Sequence, residues 1–141
     1  MNFPIVFVVA FAVQILCQLY KVFYYSAKDR RFSFKYFFSP GGMPSAHTAF
    51  VTSLAVAVGI RSGFASDIFA VSAVFSAIVI YDAFRLRGTV QQHSVLLNRL
   101  RERIDPDTPP LSEMVGHTLP EIIAGFVIGG AGAAIVSLFF V

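Results

Sequence analysis

A single cysteine, Cys17, stands in the chain, so no intrachain disulfide can form and redox compartment is not readable. Leu16 precedes it where a lipid-modified cysteine would follow a small residue, so Cys17 reads as an apolar helix residue. Charge is also scarce: 13% of residues are Asp, Glu, Lys or Arg, against 56% hydrophobic. Ordinary soluble domains are about 45–50% apolar even with glycine counted. The composition therefore argues against a soluble enzyme and for one compact membrane domain over residues 1–141. No repeat, low-complexity tract or separate soluble domain interrupts it, and no nucleic-acid partner is expected.

What is present is apolar length. A span of ~30 Å of hydrocarbon needs about 20 residues, and four runs approach that: 3–20, 44–60, 64–83 and 119–141. The expected fold is all-α, an integral membrane bundle of about four transmembrane helices with interfacial amphipathic helices. The first run has no basic residue before it and no small-residue cleavage pattern after it, so it reads as a retained helix. Of the eleven basic residues only Arg61 lies in the link between the second and third runs. With helices alternating in direction, the other ten share one face. The positive-inside tendency makes that face cytoplasmic and puts both termini outside, although a phosphate site would concentrate the same residues.

The first helix is expected to end near Lys21. The following "KVFYYSAKDRRFSFKYFF" alternates aromatic and basic residues, as suits a headgroup layer. Pro40-Gly41-Gly42 breaks the chain, and Pro44 fits the first turn of the next helix. "RSGFAS" is a turn between the second and third helices. From Arg85 to about Ile104 an apolar stripe of Val95, Leu96, Leu100 and Ile104 runs against arginines and glutamines, an amphipathic extension that "DPDTPP" closes. Ala49, Ser53 and Ala57 in the second helix and Gly125, Gly129, Gly130, Gly132 and Ala133 in the fourth read as helix-packing faces, which would also suit a homo-oligomer.

Alternation carries Lys21, Ser45, His47, Asp82, Arg87, His117 and Glu121 to one membrane face. Lysine and arginine there, with the amides around Gly42 at a helix start, suit an anion. His117 and Glu121 are four apart, so on a helix the carboxylate can fix the imidazole's tautomer. A histidine so held can attack phosphorus while a second, protonated one supplies the leaving group's proton. Taken singly, each residue has a plainer reading. Either histidine suits a hydrogen-bonded interfacial role, Lys21 and Arg30 suit snorkelling anchors, Asp82 a salt bridge to Arg85 or Arg87, and His93 an exposed helix position.

Together "GGMPSAHTA", "YDAFRLR", "LLN" and "GHTLPEIIAG" resemble the divergent branch of the type 2 phosphatidic acid phosphatase and vanadium haloperoxidase superfamily, from about Gln18 to Gly129. The resemblance implies a phosphatase-like domain with His47 as general acid, His117 as nucleophile and Glu121 as its orienting acid. Lys21, Arg30, Ser45 and Arg87 would bind phosphate, with Gly42, Asp82 and Asn98 in support. No metal ligand set and no cofactor are implied, magnesium staying open. The chain departs from the superfamily pattern at Glu121, where aspartate is usual, and at Leu111, where an arginine is expected. Arg85 stands where glycine is common, Gly88 where the branch has a second arginine, and His93 where glutamine is frequent.

The expected activity is hydrolysis of a phosphomonoester or diphosphate on a lipid such as phosphatidic acid, phosphatidylglycerol phosphate or an isoprenyl diphosphate. The alternatives are a catalytically silent phospholipid- or anion-binding or transport protein using the same pocket, and a structural membrane protein.

Overall fold

The computed structural model describes residues 5–39 and 41–140. The start of the first run at Phe3, the break at Pro40, the end at Val141 and the two termini lie outside them. All regular elements among the described residues are helical: α1 (Ile5–Lys28), a 3-10 turn (Phe34–Phe38), α2 (Ala46–Ser62), α3 (Asp67–Tyr81), a π turn (Asp82–Leu86), α4 (Arg87–Ile104) and α5 (Leu119–Phe140).

α1 runs well past Lys21, the end expected from the change in composition. No glycine or proline occurs between Val22 and Ser39, and alternating aromatic and basic side chains do not disturb i→i−4 bonding. The helix closes in a Schellman turn, with Arg31 N–H donating to Ser26 O at 3.1 Å and Arg30 N–H to Ala27 O at 3.2 Å. Arg30 takes the left-handed position at φ 53°.

Ser45 caps α2, its Oγ accepting from Thr48 N–H at 3.3 Å, a contact worth about 1 kcal/mol. Pro44 therefore precedes the cap instead of occupying the first helical turn. Gly63 ends α2 at φ 90°, and Ser66 caps α3. α3, the π turn and α4 form one continuous helix of 38 residues. At 1.5 Å per residue it is about 57 Å long, nearly twice the hydrocarbon thickness, so the polar α4 half extends beyond the apolar layer.

α2 lies at the centre, packed against α1, α3 and α5. Close approach to α5 rests on two glycines four apart. A Cβ on Gly125 would stand 2.4 Å from Ser45 O, and one on Gly129 would stand 2.4 Å from Ala49 O. The small-residue face of α5 is thus occupied, at these positions, by α2 of the same chain.

α3 is built inside out relative to a soluble helix. Its buried residues are Ser72 and Ser76, while Val71, Val74 and Ile78 are exposed. Ser76 Oγ donates to Val51 O on α2 at 2.9 Å. In lipid no water competes for such groups, so polar side chains turn inward and apolar ones face the solvent, which is hydrocarbon. α1, the Asp67–Ile104 helix and α5 are each long and apolar enough to cross a membrane. α2, at 17 residues, is the enclosed fourth member of the bundle.

Candidate functional site

Three contacts gather one end of the bundle. Lys21 Nζ, on a side chain only 1% exposed, donates to Gly41 O at 3.0 Å. Ser45 N–H donates to Glu121 O at 3.0 Å, and His117 N–H donates to Ala83 O in the π turn at 3.2 Å. The loops between helices pack backbone against backbone: a Cβ on Gly41 would meet Met114 O at 3.0 Å, and one on Gly116 would meet Gly88 Cα at 2.7 Å. Gly116 N–H also donates to Gln91 Oε1 at 3.1 Å.

Glu121 at the third position of α5 reaches back to the Thr118 N–H just before the helix, one half of a capping box and the local reason for its position. Glu121 Oε2 accepts from Thr118 N–H at 3.0 Å and lies 3.0 Å from His117 Nδ1. With the carboxylate ionised, Nδ1 carries the proton and Nε2 presents its lone pair. Nε2 of His117 is buried and has no hydrogen-bond partner, and the same holds for Nδ1 of His47. Buried polar atoms are rarely left unpaired outside strained positions, catalytic sites and places where water or an ion binds. Burial pushes the His117 imidazole below its ordinary 6.5, with the Glu121 hydrogen bond pulling it upward. His47, at the second position of α2, is within electrostatic reach of Arg87, His117, Lys21 and Asp82.

The π turn explains the placement of Arg87. In an α-helix residues five apart diverge by about 140°, whereas the wider turn brings them together. Arg87 Nε donates to Asp82 Oδ2 at 2.8 Å, which leaves the terminal nitrogens of the fork for an anion. Of the two partners considered for Asp82, Arg87 takes the salt bridge.

Other expected site residues go elsewhere. Arg30 is exposed on the Schellman turn, about 13 Å further along the helix axis than Lys21, because α1 does not end at Lys21. Ser45 is fully buried, and its Oγ accepts from both Thr48 N and Thr48 Oγ1. Asn98 clamps a loop: its Nδ2 donates to Leu111 O and Glu113 Oε1, and its Oδ1 accepts from Leu111 N–H. His93 is exposed. A side chain added at Gly88 would meet nothing within 4 Å.

A cavity of about 770 Å3 opens at this end, with His117, Glu121, Gly42, Tyr25, Arg85 and Gln92 in its wall. Lys21, His47 and Arg87 do not line it; Lys21 and Arg87 are coupled electrostatically to His117. Tyr25 was missed by sequence reasoning. Its hydroxyl accepts from Met43 N–H at 3.2 Å, and a Cβ on Gly42, itself at φ 88°, would stand 2.7 Å from that oxygen. The Met43 amide is therefore engaged instead of free for an anion. Tyr25 follows Lys21 by four residues, a signal that becomes visible once α1 is continued. Among the described residues no group of three or more His, Cys, Asp or Glu side chains is placed to hold a metal ion.

No solved structure matches the chain. The uncharacterized membrane protein YuiD of Bacillus subtilis (strain 168) is 30% identical over an alignment of 154 residues, covering 99% of this chain and 96% of the relative. The Divergent PAP2 family model matches residues 4–132, a span that takes in His117 just before α5, the PSAH start of α2 and the π turn between them. This integral membrane protein accordingly belongs to the Divergent PAP2 family.

Proposed function

We propose that the protein is a membrane phosphatase that hydrolyses a phosphomonoester or diphosphate on a lipid through a histidine nucleophile. One observation carries the reading: His117 is tied at Nδ1 to Glu121 and unpartnered at its buried Nε2, within electrostatic reach of His47 and two cations. His117 Nε2 attacks phosphorus as the bond to the lipid oxygen breaks, and His47 gives that oxygen its proton. Water, deprotonated by His47, then cleaves the N–P bond and releases phosphate. Lys21 and Arg87 stabilise the charge on the transferring group.

The alternative, a phospholipid- or anion-binding or transport protein without turnover, is favoured by the thinned cation set: Arg30 is outside the group and Leu111 is half-exposed. Release of inorganic phosphate by the purified protein from phosphatidic acid, phosphatidylglycerol phosphate and isoprenyl diphosphates separates the two. The phosphatase reading expects release that vanadate stops and a chelator does not. Tight lipid binding with no release supports the binder. Chelator-sensitive release restored by magnesium contradicts the metal-free mechanism.

The acid limb of the pH profile follows from His117. Attack needs the neutral imidazole, and burial lowers its pKa, so the acid limb of kcat/KM is centred below 6.5. A limb centred above 6.5 would contradict the assignment of that limb to His117 of the free enzyme.

We place the site end at the cytoplasmic face, on the distribution of basic residues. With Cys17 buried, cysteines introduced at the exposed positions Ser62 and Arg103 are expected to label from outside and from the cytoplasm respectively. Labelling from the opposite sides reverses the orientation and leaves the chemistry untouched.

A further inference from the structure

The helix faces that carry Lys21 and Glu121 continue into an apolar groove of about 290 Å3. On α1 its wall includes Cys17, one turn from Lys21 on the same face, with Leu16 and Tyr20 beside it. On α5 it includes Ala124 and Ile128, at i+3 and i+7 from Glu121. Met43 and Pro44 form its rim, adjoining Gly42 in the wall of the polar cavity. No charged side chain lines it. Leu16, Tyr20, Met43 and Ile128 are well exposed, so the groove is open to hydrocarbon along its length.

Resting on the phosphatase reading, we infer that this α1–α5 groove holds a hydrocarbon chain of the lipid whose phosphate the histidine end receives. Polar and apolar recesses meet at the 41–44 loop, which matches an amphiphile with its phosphate in the cavity that His117 lines and its chain running past Cys17. The groove wall spans one helical turn on each helix, from Leu16 to Tyr20 and from Ala124 to Ile128, about 6 Å along the axis, so it holds the part of a chain next to the headgroup. Hydrocarbon gains little by leaving lipid for an apolar groove. The effect is one of orientation: a chain held beside the site aims the tethered phosphate at His117. The substrate class narrows accordingly to phosphates tethered to a hydrocarbon chain that can lie in this groove.

The chain has no tryptophan, so Leu16→Trp places one fluorophore in the groove. In phosphatidylcholine bilayers, a small fraction of chain-brominated phosphatidic acid is expected to quench it several-fold more than equal amounts of brominated phosphatidylglycerol or phosphatidylcholine, with unbrominated phosphatidic acid reversing the effect. Equal quenching by all three would mean ordinary surrounding lipid and overturn the proposal, and so would quenching that is blocked as protein density rises, which would mean a second copy. Ala124→Phe, which fills the groove from α5, is expected to abolish the difference. It should also lower kcat/KM for long-chain lipid phosphate on the order of tenfold relative to a short, water-soluble phosphate ester; equal loss on both contradicts the groove. Selective quenching without phosphate release would leave the groove standing and remove the phosphatase reading.

Discussion

His117→Ala is expected to abolish phosphate release from every substrate, lipid or soluble, by at least roughly 10⁴-fold, the scale seen when a nucleophile is deleted from a site that acts as a unit. No phosphoenzyme can form without Nε2, so leaving-group quality cannot compensate. His47→Ala is expected to behave differently. General acid catalysis contributes roughly 10²–10⁴-fold, and a nitrophenolate leaves with little need of a proton. Alkyl lipid phosphates should lose that factor, while nitrophenyl phosphate should lose far less. Equal losses on both would remove the acid role from His47.

Gly129→Ala is expected to lower thermal stability in detergent. The added Cβ would stand 2.4 Å from Ala49 O, a backbone atom that moves only if α2 and α5 separate. Overpacking a core costs about 1–3 kcal/mol, and 1 kcal/mol is about 2–4 °C for a domain of this order, so a fall of roughly 5–10 °C is expected. Gly130→Ala is the matched control. Its nearest neighbour is Thr52 Cγ2 at 4.0 Å, and the substitution gains helix propensity of about 1 kcal/mol, so it should be neutral or stabilising. Similar losses from both variants would contradict the α2–α5 contact.

Much of this architecture was legible because membrane helices announce themselves by apolar length, and caps by short polar residues such as Ser45. Where α1 ends was not legible. Interfacial residues after Lys21 look like a change of element, yet nothing there breaks a helix, and the Schellman turn has arginine where glycine would have marked it. That single displacement moved Arg30 away from the site and hid Tyr25 within it. The π turn leaves no compositional trace, and α-helical spacing by itself favours Arg85, three residues on, over Arg87 as the partner of Asp82. Asn98 was legible only as a supporting residue implied by the resemblance; its clamp on Leu111 and Glu113 was not, because it depends on the 105–118 segment folding back over α4. The small-residue faces were legible as contacts, but a glycine row does not say whether its partner is the same chain or another.

Rapid acid-avoiding quench of the protein during turnover of ³²P-labelled phosphatidic acid, followed by peptide mapping, tests the histidine mechanism most directly. The account predicts an acid-labile, base-stable phosphoryl group on the peptide bearing His117, bonded through Nε2 and missing in His117→Ala. Phosphate release continuing in His117→Ala, or label trapped on any other residue, would contradict it.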